Sequence, residues 1–451
     1  MKAGQLRRYV NELEFIHIVE KIVEKVCKRV LGRGVAIMQR HSKLCVSTST
    51  CMFGLQDWAD LPKDLLQSVF SRLGSILDLL AFVATCRSWR VALTSYSSKS
   101  TLCTLFPPLL IQPNIRVHVP HPPCNNGHRH LQAYKVIDPA KQSATGLHCH
   151  IDEEILQTMR CAGPSYGQLI FYNRGHCVVV DPFRGTKVSP PRLPLCDAYR
   201  KLNWSDIPFN QKIMELQQLV TESYCSAILT APLASPNSHM LVSTGLSLFS
   251  WPVGSDTWSE LQYSGVQIIQ IVEFNGQFIA MDLRQQIYTL EVAPKLRLQE
   301  ITTNHPPDLT KSSQDPSKTS WLVVCGDMLL MLVHSCTSIH YNASVPFVRT
   351  VHYLDMSTKP AKWVDMEKLD NWAIFTGSDI RSTSFSCMNP EHWGGRSKCL
   401  YVARSPKPWS EYGLGNEPDP SVDPVHQHFR IWCHLMQPLW VYPSMLYSGG
   451  P

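Results

Sequence analysis

Residues 57–93 read DWADLPKDLLQSVFSRLGSILDLLAFVATCRSWRVAL. Pro62 suits the first turn of a helix, where its missing N–H is not needed. Asp60, just before it, offers a carboxylate to the free amides. Leu65, Leu66, Val69, Phe70 and Leu73 then recur at helical spacing. Gly74 and Ser75 punctuate, and Ser75 is a candidate cap for a second helix bearing Ile76, Leu77, Leu79, Leu80, Phe82 and Val83. A third short helix follows, with Cys86, Trp89, Val91 and Leu93 on one side and Arg87 and Arg90 on the other. Three helices this apolar within fewer than about 40 residues cannot hide every face from water. Part of that surface must meet another surface, and docking in a partner's groove is a common solution.

The pattern LPKDLLQSVFSRLGSILDLLAFVATCRSWR resembles an F-box, the module that joins a substrate receptor to the Skp-type adaptor of a cullin–RING ubiquitin ligase. Leu61-Pro62, Leu65-Leu66, Phe70, Asp78-Leu79-Leu80 and Cys86 to Arg90 all fall in register. The resemblance implies that Leu61, Pro62, Leu65, Leu66 and Cys86 face the adaptor. It implies that Phe70, Leu80 and Trp89 hold the helices together. Leu77 stands where many members have proline and Val83 where many have arginine; neither change removes an anchor.

Working outward, 451 residues leave room for two or three domains. The composition is globular, 44% hydrophobic and 17% charged, and the net charge of +6 is too small and dispersed to argue for nucleic acid. No two of the 16 cysteines form a C-x-x-C pair, so the usual zinc and redox signatures are absent. No signal-peptide pattern opens the sequence, so the thiols are read as reduced and intracellular, in nucleus or cytoplasm. No apolar run reaches the ~18 residues of a membrane span; the nearest, Trp321 to Val333, is broken by Gly326 and Asp327. Upstream, Tyr9 to Leu31 has the spacing of an amphipathic packing or partner helix, with Glu12, Glu14, Glu20 and Glu24 arguing against a mitochondrial presequence. Lys43 to Thr50 reads as a linker.

Downstream of the helical motif the pattern changes. From about Leu102 prolines multiply and helical periodicity fades, and residues 121–130 read as loop. From Gly167 short apolar runs alternate with turns: GQLIFYN, CVVVDPF, YCSAILTAPL, IQIVEFNGQFIAMDLRQQIYTLEVA, WLVVCGDMLLMLVHS, KCLYVARS and FRIWCHLMQPLWVYP. Asn275-Gly276 between alternating apolar runs is a strong hairpin signal. The units recur irregularly at roughly 40–55 residues, the range of propeller blades. Trp258, Trp363 and Trp372, each after a turn, fit packing between blades. A pair of β-sandwiches is the rival architecture.

GQLIFYNRGHCVVVDPFRGTKVSPPRLP, KWVDMEKLDNWAIFTGSD and CMNPEHWGGRSKCLYVAR resemble the C-terminal domain of a large plant F-box family. In that family the region is known as a kelch-like domain of unknown function, number two-ninety-five. The resemblance implies no substrate and no catalytic residue. It does imply that the helical and β halves belong together.

Several chemical signals carry less. Gly163-Pro164-Ser165-Tyr166-Gly167 fits G-x-S-x-G, but a nucleophile elbow needs a strand before the serine and a helix after it. His148-Cys149-His150, with Cys124, His128 and His130 upstream, offers soft ligands at spacings that match no zinc pattern. Asn203-Trp204-Ser205 and Asn342-Ala343-Ser344 are acceptor sequons without a secretory context. Asp152-Glu153-Glu154 reads as a solvated face, and Asp365, Asp370 and Asp379 as turn-closing residues.

The sequence therefore reads as an α+β, multidomain chain. Residues 1–56 form an amphipathic helix and linker, 57–97 a three-helix F-box, and 98–166 a loop-rich connection and the start of the β domain. An all-β, propeller-like receptor domain follows at 167–443, then a tail at 444–451. The expected role is a non-catalytic substrate receptor of a Skp–cullin–F-box ligase. Its expected partners are a Skp-type adaptor, through it a cullin, and a protein target, with no cofactor, metal, nucleic acid or membrane. A non-ligase interaction scaffold is the alternative, followed by a propeller-fold hydrolase or metal protein.

Overall fold

The computed structural model describes residues 66, 69, 72–94, 103–114, 132–194, 225–244, 247–262, 266–304, 318–335, 348–366, 369–377, 382–404, 407–414 and 437–447. The stretches 9–31, 43–50 and 121–130 lie outside them. The chain divides into two compact units, the second running Cys103–Ser448.

In the first unit a helix spans Ile76–Thr85. Its start is fixed by Ser75, which sits extended and accepts the Leu77 N–H through its hydroxyl at 3.1 Å. Cys86 is extended at φ −157°, so the helix stops there and a second helix, Arg87–Thr94, begins. The two are joined by the Phe82 and Trp89 rings, 4.6 Å apart between centroids. Leu66, Leu73, Ile76, Leu79, Phe82 and Trp89 are buried.

The second unit is a six-bladed β-propeller: six sheets, each of four or five strands, are arranged around a ring. The first blade takes β1 (Leu109–Asn114), β2 (Gln132–Asp138) and β3 (Ser143–Ala144). The second holds β4 (Arg160–Ser165), β5 (Gln168–Asn173), β6 (His176–Val180) and β7 (Lys187–Val188), after a short helix at Glu153–Thr158. The third has β8 (Ser226–Leu229), β9 (His239–Ser243), β10 (Ser247–Pro252) and β11 (Ser259–Gln262). The fourth has β12 (Ile268–Phe274), β13 (Gln277–Asp282), β14 (Ile287–Glu291) and β15 (Arg297–Ile301). The fifth comprises β17 (Lys318–Cys325), β18 (Met328–Ser335), β19 (Val348–Asp355) and β20 (Ala361–Asp365), with β16 (Thr303–Asn304) added in parallel at its outer edge. The sixth has β21 (Trp372–Thr376), β22 (Phe385–Met388), β23 (Cys399–Ala403) and β24 (Trp409–Gly413). Finally β25 (Leu439–Val441) pairs antiparallel with β1, so the chain's late strand completes its first blade and closes the ring.

The alternation of side chains along a strand explains why these sequences make blades. In β5, Leu169 and Phe171 point into the cluster between the first and second blades, with Ile111, Val180 and Val441. Ile170 and Tyr172 point the other way, into the cluster shared with the third blade's Met240, Val242 and Phe249. Both faces are covered, so the strand is apolar throughout rather than alternating. Four further clusters fill the gaps between the remaining neighbours, the last joining Phe375 and Tyr401 of the sixth blade to Leu110 and Trp440 of the first. Trp258, Trp363 and Trp372 lie in or against these clusters, as their spacing predicts. Asn275 (φ 49°) and Gly276 (φ 74°) make the two-residue turn between β12 and β13.

Two features depart from a simple run of hairpins. Strands begin at Leu109, well upstream of Gly167, despite the local prolines. Pro113 falls where β1 changes register with β2, a place where a missing amide costs no ladder bond. In the sixth blade the order is β22-β21-β23-β24, with β21 and β23 parallel. The chain turns inward from β21 to the innermost position, then returns outward through a 3-10 turn, Pro390–Trp393. Asn389 (φ 50°) and Gly394 (φ 90°) allow the sharp entry and exit. Trp393 anchors the turn, its indole N–H 3.2 Å from Cys387 Sγ.

Candidate functional site

Of the residues implied to face an adaptor, Leu61, Pro62 and Leu65 lie outside the described residues. Cys86 is half-buried between the two helices. Leu66 is 2% exposed. Of the implied core residues, Trp89 is buried and packs on Phe82, Leu80 is half-buried while its neighbour Leu79 is fully buried, and Phe70 lies outside the described residues. Leu77, Val83 and Leu93 are likewise only half-buried, and Val91 is 56% exposed. The described helices thus keep an apolar surface that their own packing leaves in water.

The propeller has two unlike faces. On the face where the inner strands end, the hairpins are tight: Tyr166-Gly167, Asn275-Gly276 and Gly326-Asp327 each join two strands. The unit's first and last residues also meet there. The Tyr442 hydroxyl donates to Phe106 O at 2.7 Å, and Ser444 Oγ donates to Asp181 Oδ2 at 2.5 Å. A Cβ on Gly167 would lie 2.2 Å from Ser444 N, so only glycine admits the C-terminal segment so close. Cys103 packs beside Tyr447, whose hydroxyl bond favours its thiolate, but burial outweighs this and pushes the thiol up to about 12.

Side chains of inner strands also tie neighbouring blades. Gln270 accepts the Leu322 N–H (2.6 Å) and donates to Leu322 O (3.2 Å), binding the fourth blade to the fifth. Ser386 Oγ donates to Val324 O at 2.6 Å, and Thr383, just before β22, reaches past the first blade to donate to Pro164 O of the second at 2.8 Å. Buried aspartates end several strands. Asp181 accepts from the Phe183 and Arg184 amides, Asp282 from those of Arg284 and Gln286, and Asp138 from that of Ala140. Their recurrence before a turn is a repeat signal that the sequence displayed as VID, VVD and AMD.

Among the described residues none of the weaker chemical signals assembles a reaction centre. Ser165 closes β4, and a hairpin rather than a helix follows it. Its Oγ accepts the Leu229 N–H at 2.9 Å, holding the third blade. Among the described residues no three His, Cys, Asp or Glu side chains converge to hold a metal. Burial pushes the Cys149 thiol up to about 12, which opposes the thiolate that a metal needs. Cys124, His128 and His130 lie outside the described residues, as do both sequons and Asp379. Asp152 pairs with Lys187. Asp365 sits 2.5 Å from His352 Nδ1, and Asp370 pairs with Lys398 at 2.7 Å. Both therefore have side-chain partners.

Residues 136–422 match the family described as KIB1-4 beta-propeller, a span of more than half the chain. The chain belongs to the KIB1-4 beta-propeller family. Ahead of that domain, residues 58–99 match the F-box-like family, so this member of the KIB1-4 beta-propeller family is an F-box protein. A putative F-box protein of Arabidopsis thaliana is 22% identical over 357 residues, covering 77% of this chain and 87% of the relative. Among solved structures, the N-terminal domain of Nup159 is 10% identical, covers 48% of this chain and 62% of that one, and gives a TM-score of 0.21. AztD of Citrobacter koseri is 10% identical, covers 56% and 54%, and scores 0.26. The chain spans less than two thirds of each of these two, and scores this low carry no argument.

Proposed function

We propose that this chain is the substrate-receptor subunit of a Skp–cullin–F-box ubiquitin ligase, working in the nucleus or cytoplasm. The observation that carries the reading is the pairing, in one chain, of an F-box with a closed propeller. The helices leave Val91 exposed and Leu77, Leu80, Val83 and Leu93 half-buried, whereas the propeller packs both faces of its inner strands between neighbouring blades and leaves only scattered side chains such as Leu283 and Met356 exposed. Leu61, Pro62, Leu65 and Cys86 make the adaptor contacts, with the buried Leu66 supporting them and Phe70, Leu80 and Trp89 shaping the knob. The propeller presents a protein target. The receptor makes and breaks no bond itself. It holds an attacking lysine near a ubiquitin-loaded enzyme, raising the effective concentration of the two. Among the described residues no helix is long and apolar enough to cross a membrane.

The test is recovery of a purified Skp-type adaptor by the full chain. Leu61→Glu with Leu65→Glu abolishes recovery while the thermal transition of the propeller stays in place. Undiminished recovery by that variant overturns the reading. A complete assay with cullin, RING subunit and charged conjugating enzyme then separates a receptor from a scaffold that binds the adaptor without supporting transfer.

A further inference from the structure

The second blade carries a concentration of cations at one end. β5 runs from the Tyr166-Gly167 turn, packed against Ser444, to Asn173, so the next turn, Arg174-Gly175, lies about 20 Å away on the opposite face. Arg192 returns to this turn: its Nη2 donates to Arg174 O at 3.3 Å, and the following Leu193 N–H donates to Gly175 O at 2.8 Å. His176 opens β6 beside it. Arg160 opens β4 opposite Tyr172, at the same end of the sheet. Arg174, His176 and Arg192 are exposed and Arg160 is half-buried.

No carboxylate among the described residues neutralises this group. Asp181 is at the far end of the sheet, buried and engaged by Ser444 and Gln168. Glu260, on the neighbouring blade, is taken by the Ser247 hydroxyl at 2.6 Å. Glu153 and Glu154 start the helix that precedes Arg160, about 9 Å upstream along its axis. Three arginines brought to one end of the blade without a described ion-pair partner make that rim cationic, and Arg192 is fixed there by its bond to the Arg174 carbonyl. A planar, weakly hydrated guanidinium is also the side chain best matched to a carboxylate.

We infer that this rim, formed by Arg160, Arg174, His176 and Arg192 on the face away from the chain ends, binds an acidic segment of a protein target. The inference rests on the receptor reading, since that reading makes the partner a protein. The described rim has no exposed aromatic side chain to stack a base, as binding of single-stranded nucleic acid calls for.

The test uses the full chain with a fluorescent oligoglutamate peptide as probe and a short DNA duplex as competitor. Binding of the peptide weakens as salt rises from about 50 to about 300 mM. Arg174→Glu with Arg192→Glu weakens it at least about tenfold. Lys359→Glu with Lys362→Glu, exposed on the fifth blade, changes it by less than about twofold. The inference is overturned if the arginine reversal leaves peptide binding unchanged, or if the lysine reversal weakens it equally. It is also overturned if the duplex displaces the peptide and loses its own binding in the arginine variant. Adaptor recovery is read on the same preparations. Recovery retained by a variant that still binds peptide defeats this inference alone, whereas absent recovery by the unmodified chain defeats the receptor reading.

Discussion

Phe375 and Val91 are both apolar side chains on regular elements, yet Phe375 is 0% exposed and Val91 is 56% exposed. Phe375 touches three aromatic rings, Trp440, Tyr401 and Trp393, with centroids 5.0–6.1 Å away. Val91 lies on a helix whose buried residues, Trp89 and Ala92, flank it in sequence. The propeller closes on itself, so each blade's apolar face finds a neighbour inside the same chain. Two short helices have no such option, and the surplus remains at the surface. The ring finds most of its apolar partners within its own blades; the described helices do so only in part.

Five substitutions sharpen that contrast. Phe375→Ala removes the aromatic hub between the last blade and the first and costs about 3–5 kcal/mol, read as a lower urea midpoint. Gln270→Leu keeps the volume but strips both hydrogen bonds from Leu322, costing about 2–4 kcal/mol for the main-chain groups left unpaired. Gly276→Ala costs about 1 kcal/mol, because φ is 74° although no atom lies within 4 Å of the new Cβ. Gly167→Ala, at φ 77° and 2.2 Å from Ser444 N, costs more than its counterpart, and hydrogen exchange of the C-terminal segment reports the difference. Val91→Glu shifts stability by less than about 0.5 kcal/mol yet lowers adaptor recovery. A large loss of stability there, with recovery intact, would break the contrast.

A pH series adds a further check. Burial holds the Asp282 carboxyl above its ordinary value, against the opposing pull of the Gln286 and Arg284 amides. The folded state therefore takes up a proton more readily than the unfolded chain. Its contribution is complete below the ordinary carboxylate pKa and is lost as pH rises through the elevated one. Asp282→Asn flattens the stability profile over that window and leaves it unchanged well below, as measured by thermal melts across pH.

Much of this architecture could be read from the chain. The helical motif has fixed spacing, and Asn275-Gly276 announces its hairpin because few residues accept two successive left-handed conformations. Tryptophans after turns mark the gaps between blades. What stayed hidden is what adjacency in sequence does not encode. β1 lies in a proline-rich stretch whose bulge absorbs Pro113. The inward step from β21 to β22 leaves the apolar pattern of both strands unchanged. Arg160, Arg174 and Arg192 are too far apart to form a charge run and come to one end of the blade only because two strands and a return loop converge there. In the helical module, the motif named the residues but not which would be covered: Leu66 is buried, while Leu77 and Leu80 are half open.

The pairing of β25 with β1 has one last consequence. Three short strand positions, Leu109 with Val441, Leu110 with Trp440 and Ile111 with Leu439, form the seam at which the circle is fastened. During synthesis the earlier blades must wait, with an unsatisfied edge, until residues 439–441 leave the ribosome. A nascent chain therefore displays its F-box helices long before it owns a finished ring, and a protease cut between β24 and β25 would undo the fastening without touching any blade's interior.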